Sequence, residues 1–122
     1  MNDITEKTKP KSTVAYLRSA SAGQIDSRLS LKRQRLACKR YAHQLGLHLG
    51  ATYSDVGVSG LAEHRPALDQ LMLDLSRGRI CRIVIADAAR LARSRQLEQR
   101  IQQRIRNKGA TLTMPCPSLD GN

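Results

Sequence analysis

Aromatic side chains are scarce in this sequence of 122 residues, which contains no Trp, no Phe and only three Tyr. Its core must therefore be aliphatic, and 40% of the residues are hydrophobic, enough to exclude a chain that is disordered by composition. Proteins that bind single-stranded nucleic acid stack the bases on aromatic rings. The scarcity of such rings argues against that class of protein.

Cysteine is also scarce, and Cys38, Cys81 and Cys116 show no spacing typical of metal ligands. An odd number of cysteines without a signal peptide predicts a reducing, cytoplasmic environment. No apolar run approaches the roughly 18 residues that a membrane-spanning helix requires, so we expect no membrane partner. The three histidines are scattered, and we interpret them as surface or ordinary packing residues.

Acidic residues are in the minority, because 10 Asp and Glu stand against 21 Lys and Arg, which gives a formal net charge of +11. A domain this basic usually binds a polyanion, and nucleic acid is the leading candidate. A solvated basic surface without a specific partner is the alternative. The chain is long enough for one domain with a sizeable core.

Apolar runs and helical stripes alternate along the chain. The spacing predicts strands at residues 13–19, 48–54, 80–86 and 110–114, and helices at residues 29–45, 66–78 and 88–107. This order predicts an α/β domain with a mainly parallel sheet of four or more strands and helices on both faces. We expect residues 13–115 to form the domain, with a flexible tail at 1–12, a short tail at 116–122 and a mobile loop at 21–27.

Each predicted helix has one face that is expected to be buried. The inward positions of the first helix are Gln34, Ala37, Cys38, Tyr41, Ala42 and Leu45, and those of the other two are Leu68, Leu71, Met72, Leu75, Leu97, Ile101 and Ile105. This places the polar amide of Gln34 beside the end of the first strand. A solvent-exposed position in the first turns is the alternative for Gln34.

Polar and charged side chains collect where the predicted strands end. They are Arg18, Ser19 and Ser21 after the first strand, Asp55 after the second, Arg65 before the second helix, and Arg90 and Arg93 after the third strand. Carboxyl ends of parallel strands share one edge of the sheet, where ligands bind, so we expect these arginines to face one anion. Arginine binds phosphate bidentately, and several arginines around a serine hydroxyl suit phosphoryl transfer. A strand that ends in an ordinary polar turn is the alternative.

Five segments resemble the catalytic domain of the serine recombinases, the resolvase/invertase family. They are Tyr16-Leu17-Arg18, which is similar to Tyr-x-Arg-Val-Ser; Ser30-Leu31-Lys32-Arg33-Gln34, similar to Ser-Leu-x-x-Gln; Asp55-Val56-Gly57-Val58-Ser59-Gly60, similar to Asp-x-Gly-Val-Ser-Gly; Arg65-Pro66-Ala67-Leu68, similar to Arg-Pro-x-Leu; and Arg90-Leu91-Ala92-Arg93-Ser94, similar to Arg-Leu-x-Arg-Ser/Asp. The five segments occur in the family's order within residues 13–115.

The resemblance implies site-specific recombination, in which double-stranded DNA is cut and rejoined through a 5′-phosphoserine intermediate without a metal or any other cofactor. It assigns the DNA phosphate to Arg18, Arg65, Arg90 and Arg93, and it assigns supporting roles to Gln34, Asp55 and Ser19. The implied partners are DNA and further recombinase subunits, as a homodimer or tetramer or as a heteromer with a full-length recombinase. The implied location is the cytoplasm, at the nucleoid.

The sequence departs from the family pattern at the nucleophile, because the usual position holds Ala20. Ser21 is therefore the candidate nucleophile, whereas strand alternation directs Ser19 away from Arg18. In the family, a long dimer-forming helix and a separate DNA-binding domain follow the position of Met114. We expect no separate DNA-binding domain within these 122 residues. These departures leave a second hypothesis open, a catalytically degenerate relative that binds DNA or pairs with full-length recombinases as a regulator.

Overall fold

The computed structural model describes residues 12–20, 23–62 and 65–115. Its elements, in chain order, are strand β1 (Ser12–Ser19), helix α1 (Gln24–Gln44), strand β2 (Leu49–Val56), helix α2 (Pro66–Ser76), strand β3 (Ile80–Val84), helix α3 (Ala88–Leu91), helix α4 (Arg95–Asn107) and strand β4 (Thr111–Thr113). The predicted tails lie outside the described residues, except for Ser12, which begins β1. In the described part of the chain, no helix combines the length and the apolarity needed to cross a membrane.

The four strands form one parallel sheet in the order β2-β1-β3-β4. Ala15 and Leu17 of β1 pack in one cluster with residues of α1, whereas Val14 and Tyr16 pack with α2 and α4 in another. Successive side chains of a strand point to opposite faces, so this division puts helices on both faces of the sheet. The predicted fold class is therefore confirmed.

The order of the strands places a change of direction of the chain between β1 and β3. The chain passes from β1 to its neighbour β2, and then crosses β1 to form β3 on the other side. At such a reversal the loops after the two central strands diverge, which leaves room for a ligand outside their carboxyl ends. Arg18 lies at the carboxyl end of β1 and Arg90 in the segment after β3, so both lie at the edge where this topology favours a ligand site.

Helical periodicity identified most of the core correctly. The inward residues of α2 and α4 are all buried, namely Leu68, Leu71, Met72, Leu75, Leu97, Ile101 and Ile105. Gln34, Cys38 and Ala42 of α1 are buried as well. Leu45 is 45% exposed, so its predicted inward position is wrong: α1 ends at Gln44, and the chain turns away at Gly46, which has a positive φ.

Helix α1 begins five residues before the predicted start, so the mobile loop predicted over residues 21–27 is wrong for residues 24–27. The amide of Ser27 donates a 2.9 Å hydrogen bond to the carbonyl of Gly23, which closes the first turn. Ser27 is also buried, with its hydroxyl 2.9 Å from that of Ser19. A tertiary contact thus stabilises a helix in a stretch whose composition is typical of a loop. Ser21 and Ala22 lie outside the described residues.

The long helix predicted over residues 88–107 is two helices. Ala92 is extended, with φ −162° and ψ 152°, and the Ser94 side chain accepts a hydrogen bond from the amide of Leu97 as the N-cap of α4. Arg90 therefore lies in α3 and Arg93 in the extended link. The prediction of one continuous helix through both residues is therefore wrong.

Candidate active site

Arg18 joins the segments that follow β2 and β3 at the carboxyl edge of the sheet. Its side chain is only 1% exposed, and its guanidinium donates three hydrogen bonds to backbone carbonyls. Nε donates to Arg90 at 3.1 Å, Nη1 to Val58 at 2.8 Å and Nη2 to Ala89 at 2.7 Å. The planar fork of arginine can bond three carbonyls in fixed directions, so Arg18 sets the distance between the segment after β2 and the segment after β3.

Arg65 is the second buried guanidinium, with 0% exposure. Nε donates to the carbonyl of Ala62 at 2.9 Å and Nη2 to that of Gly60 at 3.2 Å. Nη1 lies 3.4 Å from both the carbonyl of Arg90 and the hydroxyl of Tyr16. Arg65 therefore reaches the same carbonyl as Arg18, and the two positive charges are close neighbours.

Neither buried guanidinium has a carboxylate within salt-bridge distance among the described residues. Burial lowers the pKa of Arg18 from its ordinary value, and the nearby charges of Arg65, Arg90 and Arg93 lower it further. An unpaired buried charge is costly, and like charges at short range add to that cost. The carbonyl dipoles offset part of it, and an anion bound at this edge would offset more.

Arg90 and Arg93 complete the cluster on its more accessible side. The Arg90 side chain is 27% exposed; its Nη1 donates to the carbonyl of Arg18 at 3.1 Å, and its Nε lies 3.3 Å from a carboxylate oxygen of Asp87. Arg93 is exposed, and its amide donates to the carbonyl of Gly60 at 3.0 Å. The four predicted arginines are thus gathered at one edge, with two buried and two reaching solvent.

Gly60 allows the cluster to close. A Cβ atom at this position would overlap with Cγ of Arg93 and would lie 2.9 Å from Nη2 of Arg18. Gly60 is buried, and its carbonyl accepts hydrogen bonds from Arg65 and Arg93. Only a residue without a side chain permits this close approach.

Gln34 takes the place of a neighbouring strand at the end of β1. Its Oε1 accepts from the amide of Arg18 at 3.1 Å, and its Nε2 donates to the carbonyl of Arg18 at 2.9 Å and to the hydroxyl of Ser30 at 3.0 Å. The pairing of β1 with β3 ends at Ala15 and Val84, so β3 does not pair with the backbone of Arg18. Gln34 thus fixes the backbone that carries Arg18.

Asp55 lies inside β2, which extends two residues beyond its predicted end, rather than in the loop that follows it. Its carboxylate accepts hydrogen bonds from the Tyr16 hydroxyl at 2.8 Å and from the amides of Ala67 and Leu68 at 2.8 Å and 3.1 Å. Burial raises the pKa of Tyr16 well above its usual value, so the phenol stays protonated and remains a donor. Asp55 thereby fixes the start of α2 directly after Arg65.

The serines differ in their placement. The Ser19 hydroxyl is buried against Ser27 on the α1 side of the sheet and is engaged there. Ala20 is exposed at the end of β1, and the candidate nucleophile Ser21 lies outside the described residues.

Several participants were not identified from the sequence. Tyr16 belongs to a motif but was not predicted as a site residue, although it lies two residues before Arg18 and therefore on the same face of β1. Ser27 was assigned to a loop, and Gly60 was named only as part of a motif. The carbonyls that hold Arg18 and Arg65 carry no sequence signal, because every residue has one.

Comparison with known proteins gives a consistent result. A family model described as "Resolvase, N terminal domain" matches residues 13–120. The N-terminal catalytic domain of TP901-1 integrase superimposes with a TM-score of 0.77 at 23% identity, over 85% of this chain and 77% of that one. The C-terminal catalytic domain of IS1535 TnpA, an IS607-like serine recombinase, gives 0.69 at 27% identity, over 88% and 73%. A resolvase family site-specific recombinase from Streptococcus pneumoniae gives 0.70 at 21% identity, over 93% and 75%. No protein with a curated description matches the chain.

Proposed function

The chain belongs to the resolvase family of serine recombinases, and we propose that residues 13–115 form a catalytic domain that performs site-specific DNA recombination. The observation that carries this proposal is the pair of buried guanidinium groups, Arg18 and Arg65, which lack carboxylate partners among the described residues. A phosphodiester of double-stranded DNA supplies the missing negative charge. Arg90 and Arg93 bind the same phosphate from the solvent side.

In the proposed reaction, the Ser21 hydroxyl loses its proton and its oxygen forms a bond to phosphorus. The bond from phosphorus to the 3′ oxygen breaks, and that oxygen takes up a proton, which leaves a 5′-phosphoserine and a free 3′-hydroxyl. The reverse step rejoins the strand. The fixed guanidinium groups favour both steps because negative charge accumulates on the phosphoryl oxygens in the transition state.

Resolvase-family domains act on DNA, typically as oligomers. We therefore propose that the chain works as a homodimer or tetramer on DNA, or as a heteromer with a full-length recombinase. A DNA substrate also implies action at the nucleoid in the cytoplasm.

A second function, regulation without catalysis, is favoured by Ala20 at the position of the usual nucleophile. In that case the arginine cluster still binds a DNA phosphate, but no serine attacks it. The chain then acts by occupying DNA or by pairing with an active recombinase.

Covalent capture on supercoiled DNA distinguishes the two functions. The protein is incubated with plasmids that carry candidate sites, the reaction is stopped with denaturant, and DNA-linked protein is measured. Catalysis through Ser21 predicts an adduct that disappears in Ser21→Ala and persists in Ser19→Ala, because the Ser19 hydroxyl is bonded to Ser27.

The variant Ala20→Ser tests the second function. No adduct from the natural chain together with an adduct from Ala20→Ser supports a degenerate relative with an intact phosphate site. No adduct from either protein, combined with DNA binding that is unaffected by Arg90→Ala and Arg93→Ala, contradicts both functions.

A further inference from the structure

The solvent-facing side of α1 is strongly basic. Six cationic residues of this helix are exposed: Arg28, Lys32, Arg33, Arg35, Lys39 and Arg40. Asp26 is the only acidic residue in the helix, and none of the six cations forms an ion pair with another described residue. We call these six residues the basic face of α1.

Four members of the basic face form a line along the helix. Arg28, Lys32, Arg35 and Lys39 follow one another at steps of four, three and four residues, which places them on one side of the helix over about 16 Å. Like charges at these spacings repel one another and disfavour the helix. The fold does not require this arrangement, because the buried face of α1 is formed by other residues.

The basic face lies next to the arginine cluster. Gln34 on the opposite side of α1 is bonded to the backbone of Arg18, and Ser27 is bonded to Ser19 at the end of β1. The first half of α1 therefore runs beside the carboxyl edge of the sheet. Its outer cations lie roughly one helix diameter, about 10 Å, from the cluster.

We propose that the basic face of α1 binds the phosphate backbone of the duplex, beyond the phosphate that the arginine cluster holds. This inference rests on the proposed function for the position of the DNA. B-form DNA carries one negative charge per about 1.7 Å of its axis with both strands counted, so the line from Arg28 to Lys39 is as long as a stretch of duplex that carries about ten charges. Contacts of this kind position a protein on DNA without reading its sequence.

An anionic lipid surface is the rival partner. Ile25, Leu29 and Leu36 are exposed between the cations of α1, at 72%, 48% and 50%, and apolar residues in a basic setting suit a membrane interface. DNA is favoured because the basic face lies beside the sheet edge that holds the arginine cluster, so one duplex can contact both. Binding to a lipid surface would not require the two to be neighbours.

The experiment compares two triple variants of the full chain that lose the same charge. K32Q/R35Q/K39Q removes three members of the basic face, whereas R104Q/R106Q/K108Q removes three exposed cations at the end of α4. Binding to a random-sequence duplex of about three helical turns is measured by fluorescence anisotropy over a series of salt concentrations. Circular dichroism melting verifies that both variants are folded.

We expect the plot of log K against log salt to become shallower by about 2 to 3 for the α1 variant, since each lost phosphate contact removes about 0.9 from the slope. The α4 variant should change the slope by less than about 1. Equal changes in both variants, or no change in the α1 variant, would overturn the inference. So would binding to vesicles of anionic phospholipid that depends on the α1 residues while duplex binding does not.

The experiments can reject the proposed function and the basic face of α1 independently of each other. Adduct formation through Ser21 with a salt dependence that does not involve α1 would leave the proposed function intact and reject the basic face. The converse result, α1-dependent duplex binding without any adduct, would leave the basic face intact and favour regulation over catalysis.

Discussion

Replacing Gln34 by Met tests whether this side chain substitutes for a strand. Methionine has a similar length and remains compatible with the helix, but it cannot form the three hydrogen bonds that Gln34 makes to Arg18 and Ser30. The carbonyl of Arg18 keeps its bond from Arg90, whereas its buried amide loses its partner. The cost therefore falls mainly on one backbone N–H group.

The size of the effect follows from these contacts. A buried donor left without a partner costs about 1–3 kcal/mol. Each of the other two lost hydrogen bonds contributes about 0.5 kcal/mol, the low end of the usual range, because the Arg18 carbonyl keeps its bond from Arg90 and Ser30 is only half-buried. We expect Gln34→Met to lower the free energy of unfolding by about 2–4 kcal/mol. For a domain of about 100 residues this corresponds to a fall in Tm of about 10–25 °C.

Urea denaturation followed by circular dichroism measures the free energy directly, and the slope m should stay constant. The control is Gln44→Met, the same chemical change at an exposed position at the end of the same helix, which should alter stability by less than about 0.5 kcal/mol. Equal stabilities of the two variants would refute the role assigned to Gln34.

Three further predictions concern the cluster and the core. Arg90→Ala and Arg93→Ala should each weaken duplex binding about tenfold while Tm changes by only a few degrees, because these side chains reach solvent; a collapse of thermal melting would show that they are structural. Gly60→Ala should lower stability by about 1–3 kcal/mol in urea titrations because its Cβ overlaps with Arg93, whereas Gly50→Ala, whose Cβ meets only the carbonyl of Thr13 at 3.4 Å, should be nearly neutral. Burial raises the pKa of the Cys38 thiol from 9.0 to about 12, so its contribution to stability is fully present below about pH 9 and is lost as the pH rises towards 12. Between about pH 8 and pH 10 this loss should be about 1.4 kcal/mol, and Cys38→Ala should remove it; an unchanged pH dependence in that variant would contradict the prediction.

The sequence predicted the parallel sheet and its helices because their signals are local and periodic. Leu68, Leu71, Met72 and Leu75 form a stripe that only a helix buries on one side. The apolar run of β1 predicts a strand that is covered on both faces. The alternation of strands and helices then determines that the strands run parallel, but it leaves their order in the sheet open.

The errors occurred where tertiary contacts or caps decide the local structure. Ser27 lies in a stretch with the composition of a loop, yet its contact with Ser19 helps to hold the first turns of α1. The break before α4 had a local signal in the N-cap Ser94, but the apolar spacing on either side resembled one continuous helix. Asp55 caps α2 by accepting hydrogen bonds from the amides of Ala67 and Leu68, which follow it by 12 and 13 residues. Hydrophobic periodicity does not predict a contact of this kind.

The buried and the exposed arginines of the cluster differ in how many of their N–H donors are already bonded to the protein. Arg18 and Arg65 direct most of their hydrogen bonds to carbonyls of the flanking loops, so part of their donor capacity is already used without a ligand. Their positive charge still attracts an anion at this edge of the sheet, because electrostatic attraction does not require a free N–H group. Arg90 and Arg93 retain solvent access and can rearrange towards an anion. In the proposed reaction, a buried pair that fixes the loops and an exposed pair that contacts the phosphate would favour the transition state, because the dipoles and charges are in place before the substrate arrives.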